Sequence, residues 1–179
     1  MDDAGVRAYL SLGSNLGDRL SNLVSAVRAI DALPAFHLVA VSPVYETAPL
    51  GSTGDEVDNQ PAYLNAALSV DVAVGAIESH ALTAGIERAM GRGEHGRGES
   101  RTIDIDLVLF GDARIVTPAL TVPHPRMLAR AFVLRPLLDL DAQITAPGTG
   151  PLAPLLARVA EQGCRLHTTA DAFQALIRR

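Results

Sequence analysis

Two aspartates alternate with apolar residues in the stretch "SRTIDIDLVLF", residues 100 to 110. In a strand, side chains two apart share a face, so Asp104 and Asp106 are predicted to point the same way. Aspartate is depleted in strands, and neighbouring carboxylates repel each other. Mg²⁺ would relieve that repulsion, because it prefers carboxylate oxygens and completes its shell with waters and substrate phosphates. The alternative is a half-exposed strand with two solvated acids, and the neighbouring motifs must decide between them.

All fifteen basic residues of the chain are arginines, and eight of them lie between Arg88 and Arg135. Without lysine the chain cannot carry a P-loop lysine, a protein-kinase strand lysine or a Schiff base. Any phosphate chemistry must therefore use arginine, metal and backbone N–H groups. A net charge of -5 argues against a protein that binds nucleic acid through general electrostatics, since such domains are usually basic.

The length and composition predict a single folded domain over residues 1–179, with 48% hydrophobic and 20% charged residues. Cys164 is the one cysteine, so an intramolecular disulfide is excluded, which fits a reducing cytoplasm. The N-terminus "MDDAGVRAYL" is acidic, and no apolar run approaches membrane-spanning length. We therefore expect a cytoplasmic protein with no membrane segment and no obligate protein partner.

Hydrophobic periodicity and turn residues predict an alternation of strands and helices. The segment "GSNLGD" lacks the GxGxxG pattern and is interpreted as a turn from strand to helix. The glycine-rich segment 91–100 is interpreted as a mobile loop that closes over both substrates once Mg-ATP binds, with a disordered loop that never closes as the alternative. In chain order, the predicted elements are a strand at "RAYLSLG", a helix over 18–33, a strand at "HLVAVSPVYE", a polar loop over 49–61, a strand at "AYLNAALSVDV", a helix over 75–90, the aspartate strand, a hairpin at "FGDARIV", a helix over 124–140 broken at Pro136, a helix at "LAPLLARVAEQ" and a weak final strand and helix.

The order strand, helix, strand, strand, helix, strand is typical of a ferredoxin-like α+β sandwich, in which helices pack on an antiparallel sheet. We expect the helices to cover one face of that sheet and to leave the other open. The strand with Asp104 and Asp106 is expected in the centre, with function on the open face.

The motifs "AYLSLGSNLGDR", "VYETAPLG", "YLNAA", "RTIDIDLVLFG" and "LTVPHPRMLARAFVLRPL" occur in one order and spacing. Together they closely resemble the 6-hydroxymethyl-7,8-dihydropterin pyrophosphokinase family of folate biosynthesis. The resemblance covers about Tyr9 to Leu138 and leaves 139–179 as a C-terminal extension of the same domain. It implies a ferredoxin-like fold, two Mg²⁺ ions as cofactors, and transfer of pyrophosphate from ATP to the pterin hydroxymethyl group with release of AMP.

The resemblance also implies roles for individual residues. The carboxylates of Asp104 and Asp106 would bind the metal ions and, with Arg92 and Arg101, make up the catalytic set. The pterin would contact Thr47, Leu50, Tyr63, Asn65 and Phe132, with the two aromatic rings on either side of it. ATP would contact Glu87, Arg92, Arg97, Arg101, Thr121, His124 and Arg130.

Two other classes of function remain open on the sequence alone. A different Mg²⁺-dependent nucleotidyl or phosphoryl transferase would share the aspartates but would need no pocket around Tyr63, Asn65 and Phe132. A non-catalytic ligand-binding or regulatory domain would need neither feature. AMP release that depends on the pterin would separate all three.

Overall fold

A computed structural model of the chain describes residues 5–49, 61–91 and 101–179. Leu50, Arg92 and Arg97, three of the predicted site residues, lie outside these ranges, as does nearly all of the predicted loop over 91–100. The strands are β1 (Val6–Ser14), β2 (Phe36–Val41), β3 (Val44–Thr47), β4 (Tyr63–Val72), β5 (Asp104–Phe110), β6 (Ile115–Val116), β7 (Thr121–Val122), β8 (Thr145–Ala146), β9 (Gly150–Pro151) and β10 (Arg165–Thr168). The helices are α1 (Arg19–Asp31), α2 (Ala76–Ala89), α3 (Ala131–Leu140), α4 (Ala153–Leu156) and α5 (Ala170–Ile177), with 3-10 turns at Met127–Ala129 and Ala157–Gln162.

The main sheet is antiparallel and runs in the order β10-β3-β4-β1-β5, with β2 also paired to β4. The α+β class and the ferredoxin-like succession of elements are confirmed. The helices over 18–33 and 75–90 are confirmed as α1 and α2, and the Asp18 carboxylate caps α1 by accepting from the Ser21 N–H at 3.0 Å. Among the described residues, no helix combines the length and the apolar character needed to cross a bilayer.

The position of the aspartate strand differs from the prediction. In the described part of the chain β5 pairs only with β1 and lies at the edge of the main sheet, not in its centre. The long strands β1 and β4 hold the central positions, because each pairs along its length with neighbours on both sides. The outer side of β5 meets the segment after β7, where the His124 N–H donates to the Val108 carbonyl at 2.9 Å. The segment after β7 thus covers part of the outer side of β5 and brings His124 beside this strand.

Both faces of the sheet carry helices, so the prediction of one open face was wrong. The first face packs on α1, α2 and α5, and alternate residues of β4 such as Leu64, Ala66 and Leu68 point into that core. The second face packs on α3 and the segment after it, around Ala67 and Leu109. The helix α3 covers only part of the second face, and the aspartates lie on that same face.

Three local predictions were also wrong. The stretch "HLVAVSPVYE" forms two strands, because Pro43 has no N–H for the ladder and the chain bends there between β2 and β3. The predicted hairpin at "FGDARIV" pairs β6 with β7 instead of with β5. The stretch "LAPLLARVAEQ" is short helix α4 followed by a 3-10 turn, with Val159 out of helical conformation.

The helix predicted over 124–140 is broken at Arg130, not at Pro136. Arg130 is extended, with φ -129° and ψ 108°, between the 3-10 turn at Met127–Ala129 and α3. Pro136 lies inside α3 and costs one helical hydrogen bond. The burial of Leu134 and Leu137 against the sheet offsets that cost, so the helix continues.

Candidate active site

Asp104 and Asp106 lie on the same face of β5, as the alternation of side chains predicts. The register between β5 and β1 sets Gly13 opposite Asp104 and Ser11 opposite Asp106. Burial raises the pKa of Asp106, and the negative charge of Asp104 raises it further, although nearby positive groups oppose the shift. The site therefore holds two neighbouring carboxylates in a setting that penalises the charge of Asp106.

These two carboxylates fit a Mg²⁺ site by their chemistry. They offer hard oxygen ligands from one strand face, and a divalent cation would offset both the burial and the repulsion by Asp104 that raise the pKa of Asp106. Within the described ranges, no group of three or more His, Cys, Asp or Glu side chains could hold a metal ion. Any further ligands from this part of the site would be waters and substrate phosphates, which is the usual pattern for Mg²⁺.

Arg101 lies directly beside this pair. Its Nη1 is 2.8 Å from the Asp104 Oδ1, and the guanidinium is only slightly exposed. Burial opposes the charge of Arg101, but its interactions with Asp104 outweigh that effect and raise the pKa of the guanidinium. Arg101 therefore stays charged and keeps a fixed position at the start of β5.

Asn15 holds the backbone of Arg101 and was missed by the sequence reasoning, which gave "GSNLGD" only a turning role. The Arg101 N–H donates to the Asn15 Oδ1 at 2.8 Å, and the Asn15 N–H donates to the Arg101 carbonyl at 3.2 Å. Asn15 is 1% exposed, so these bonds form away from water. The sequence feature that could have indicated this role is an amide side chain, able to donate and to accept hydrogen bonds, directly after an apolar strand.

His124 and Arg130 approach the aspartates from the outer side of β5. The His124 Nε2 is 3.9 Å from the Asp106 Oδ2. Burial lowers the pKa of His124, and the charges of Arg130 and Arg126 lower it further against the opposing effect of Asp106. His124 is therefore neutral at neutral pH and can donate one hydrogen bond without adding charge.

Burial and the neighbouring charge of Arg126 lower the pKa of Arg130, while Asp106 and Asp104 oppose that shift. The guanidinium of Arg130 lies over the ring of Phe132, 5.4 Å from the ring centroid. Thr121 is half-buried on β7, the short strand that leads to His124. The predicted phosphate-side residues Arg101, His124 and Arg130 thus gather around the two aspartates.

A second group of predicted residues lies across β1 from the aspartates. Asn65 pairs with Gly13 on one side, and Asp104 pairs with the same glycine on the other. Two strand spacings put the Cα atoms of Asp104 and Asn65 about 9 to 10 Å apart. Glycine contributes no side chain to that gap, and a Cβ built at Gly13 would lie 3.3 Å from the Asn65 Oδ1. The sequence reasoning did not single out Gly13.

The amide of Asn65 is held in one orientation. Its Nδ2 donates to the Thr47 Oγ1 at 2.8 Å, and both side chains are buried. The amide oxygen lies on the side of Gly13, because an added Cβ there would meet it first. The Thr47 hydroxyl is thus engaged by Asn65, and the contact of Thr47 with the pterin stays a prediction. Tyr63 is half-buried on the same face of β4, and Phe132 is the second residue of α3.

Glu87 is buried in α2 and supports the aspartate strand. Its Oε1 accepts from the Ile105 N–H at 2.7 Å, and Ile105 lies between the two aspartates. Charge-assisted hydrogen bonds of this kind are stronger than neutral ones, so Glu87 fixes the position of β5 along α2. Its predicted contact with ATP stays a prediction.

Comparison with known proteins identifies the family. Residues 9–142 match the family described as 7,8-dihydro-6-hydroxymethylpterin-pyrophosphokinase (HPPK). A 2-amino-4-hydroxy-6-hydroxymethyldihydropteridine pyrophosphokinase of Pseudomonas aeruginosa is 38% identical over 157 residues, 88% of this chain and 94% of that protein. A protein of the same name from Bacillus subtilis is 39% identical over 142 residues, 79% of this chain and 82% of that protein.

Solved structures give the same fold at low identity. The wild-type HPPK-DHPS of Plasmodium falciparum with pteroate matches with a TM-score of 0.68 at 16% identity, covering 87% of this chain. The chain spans less than half of the solved chains, 42% in that case and 46% in a related variant. At sequence identities this low, the structural similarity supports the fold of the chain and not its activity. The family match and the bacterial relatives confirm the resemblance: the chain belongs to the 7,8-dihydro-6-hydroxymethylpterin-pyrophosphokinase family of enzymes.

Proposed function

We propose that the chain transfers pyrophosphate from Mg-ATP to the hydroxymethyl group of 6-hydroxymethyl-7,8-dihydropterin and releases AMP, as a step of folate biosynthesis. One observation carries this proposal. Asp104 and Asp106 share a strand face with Arg101, His124 and Arg130 around them, and the bare backbone at Gly13 separates this group from the Asn65 amide. A charged phosphate site and a neutral recognition site thus lie side by side on one sheet.

The neutral side suits the pterin. Its ring edge carries donors and acceptors, and the Asn65 amide can offer both. Because the Asn65 Nδ2 is engaged by Thr47, its oxygen is the group that faces the gap at Gly13. We assign the rings of Tyr63 and Phe132 to stacking on the pterin, and a backbone contact to Leu50, which lies outside the described residues.

The charged side suits the triphosphate. The planar guanidinium groups of Arg101 and Arg130 can each bind two phosphate oxygens and remain charged at any relevant pH. His124 adds a hydrogen-bonding group near Asp106, and we assign a further phosphate contact to the hydroxyl of Thr121 on β7. We assign further phosphate contacts to Arg92 and Arg97, which the structure does not describe.

In the proposed reaction, the pterin hydroxymethyl oxygen attacks the β-phosphorus of ATP and its proton is released to water. The bond from that phosphorus to the oxygen bridging the α-phosphate breaks, and AMP leaves with that oxygen. A pair of Mg²⁺ ions held by Asp104 and Asp106 would stabilise the charge on the entering and leaving oxygens. Arg101, fixed by Asn15 and Asp104, orients the transferred group, and the His124 ring donates a hydrogen bond to it.

An AMP-release assay with ATP, Mg²⁺ and 6-hydroxymethyl-7,8-dihydropterin tests this function. We expect AMP in proportion to the pterin, and none with 6-methyl-7,8-dihydropterin, which lacks the attacking hydroxyl. AMP release without any pterin would point to another transferase or a hydrolase. A folded protein that binds the pterin but releases no AMP would favour a non-catalytic binding domain.

We also propose that residues 139–179 belong to the same domain. Phe173 and Ile177 of α5 are buried in the core with α1, and Arg28 of α1 donates from Nε to the Ile177 carbonyl at 2.9 Å. Strand β10 adds to the main sheet beside β3. The proposed location is the cytoplasm, where reducing conditions keep a lone cysteine such as Cys164 as a free thiol.

A further inference from the structure

Gln162 joins the C-terminal segment to the loop that carries Arg130. Its Oε1 accepts from the Ala131 N–H at 2.9 Å, and its Nε2 donates to the Ala129 carbonyl at 2.9 Å. One side chain therefore bonds the backbone on both sides of residue 130. Gln162 lies beyond residues 9–142, the part of the chain that matches the family.

The backbone at Arg130 needs such an outside partner. Arg130 is the N-cap of α3, and its own side chain makes no capping bond there. The Ala131 N–H is one of the first N–H groups of α3, which have no partner within the helix. The 3-10 turn at Met127–Ala129 ends directly before it. Gln162 supplies the cap from a position 31 residues further along the chain.

The segment held in this way carries two groups of the proposed site. The Arg130 guanidinium lies over the ring of Phe132, 5.4 Å from the ring centroid. The negative charges of Asp106 and Asp104 favour the charged form of Arg130. Arginine has many rotamers, and its reach depends on where its own backbone is fixed. A shift of about 1 Å in that backbone is enough to misplace a phosphate-binding group.

We propose that Gln162 is a positioning residue for both substrates, acting by holding the extended backbone of Arg130 between the 3-10 turn and α3. This inference rests on the proposed function, in which Arg130 binds the triphosphate and Phe132 stacks on the pterin. It gives the C-terminal segment a part in the site. A cap that only stabilised the fold would change the stability of the protein and leave substrate binding as it is.

The test compares Gln162→Met and Gln162→Glu with the wild type. Methionine keeps the length of the side chain and removes both hydrogen bonds, whereas glutamate keeps the acceptor for the Ala131 N–H and loses the donor to Ala129. Gln143→Met is the matched control, because Gln143 is exposed. In Gln162→Met we expect KM for ATP and for the pterin to rise about five- to tenfold with kcat changed less, and the glutamate variant to lie between.

Two further readouts separate positioning from general stability. Hydrogen exchange at the Ala131 N–H should quicken in Gln162→Met in the free protein, while exchange in β1 and β4 stays unchanged. In a double-mutant cycle, Gln162→Met should add little to the effect of Arg130→Ala on KM for ATP. Unchanged KM values with a folded protein, or full additivity with Arg130→Ala, would overturn the proposal.

The same experiments keep this inference apart from the proposed function. A wild-type protein without pterin-dependent AMP release would overturn the function. Unchanged exchange at the Ala131 N–H in Gln162→Met would overturn the positioning role even in a fully active enzyme.

Discussion

Replacing Thr47 by valine removes one hydrogen bond from the proposed pterin site with almost no change of shape. Valine has the same branching and is as well suited to strand β3 as threonine. It cannot accept the 2.8 Å bond that the Asn65 Nδ2 donates to the Thr47 Oγ1. Asn65 is 2% exposed and Thr47 is 5% exposed, so water has little access to replace the lost acceptor.

The expected cost follows from this burial. A buried donor left without an acceptor costs about 1 to 3 kcal/mol of folding free energy. The amide of Asn65 would also be free to rotate, and its oxygen would no longer be held toward Gly13. We expect this loss of orientation to cost about 1 to 2 kcal/mol of pterin binding, a roughly five- to thirtyfold rise in Kd, and the Kd for Mg-ATP to stay within about twofold.

Urea unfolding and calorimetric titration of each ligand measure these effects. Thr47→Ser is the matched control, since serine keeps the hydroxyl acceptor and loses only a methyl group. Its pterin affinity should stay close to that of the wild type. If Thr47→Val binds the pterin as tightly as the wild type, the Asn65 amide is not oriented by this bond and the assignment of its oxygen to the pterin is wrong.

Three other predictions address the surroundings of the site. Phe132→Ala should weaken pterin binding by about 0.5 to 1.5 kcal/mol beyond the loss of apolar area, as calorimetry would show; an unchanged Kd would exclude Phe132 from the pterin stack. Glu87→Gln should lower the free energy of unfolding by about 1 kcal/mol, because a charge-assisted bond becomes neutral, and an unchanged free energy of unfolding would contradict the supporting role of Glu87; a rise of KM for ATP beyond about twofold would support its predicted contact with ATP. Hydrogen bonds from Arg19 and from Arg165 lower the pKa of Glu46 from its ordinary 4.5. Glu46→Gln should therefore be about 1 kcal/mol less stable than the wild type at pH 7, and this difference should vanish as the pH falls through the lowered pKa. A difference in thermal unfolding that stays constant with pH would contradict the ion-pair explanation.

The parts of the fold that depend on neighbouring residues could be predicted from the sequence. Alternation over a few residues was enough to put Asp104 and Asp106 on one face, and the spacing of apolar residues with Asp18 as a cap was enough to locate α1. The motifs were enough to identify the family. The shared face of the two aspartates and the position of α1 depend on contacts within one strand or one helix turn.

The features that were predicted wrongly or missed depend on contacts between distant segments. The edge position of β5 follows from which strands pair, and the sequence of β5 does not specify its partners. Asn15 meets the backbone of Arg101 across 86 residues, and Gln162 meets Ala131 across 31 residues. The continuation of α3 through Pro136 depends on packing of its apolar side against the sheet, which outweighs the local cost of proline.

The central claim is that the two aspartates of β5 carry the reaction, and turnover of Asp104→Asn and Asp106→Asn measures this most directly. Each variant removes one charged ligand while keeping the size of the side chain, and Asp112→Asn, in the exposed turn after β5, is the control. Pterin-dependent AMP release should fall by at least about a thousandfold in both site variants, with unchanged circular dichroism, and should stay at the wild-type level in the control. Near-wild-type AMP release by either folded site variant would contradict the assignment of metal and triphosphate to this strand.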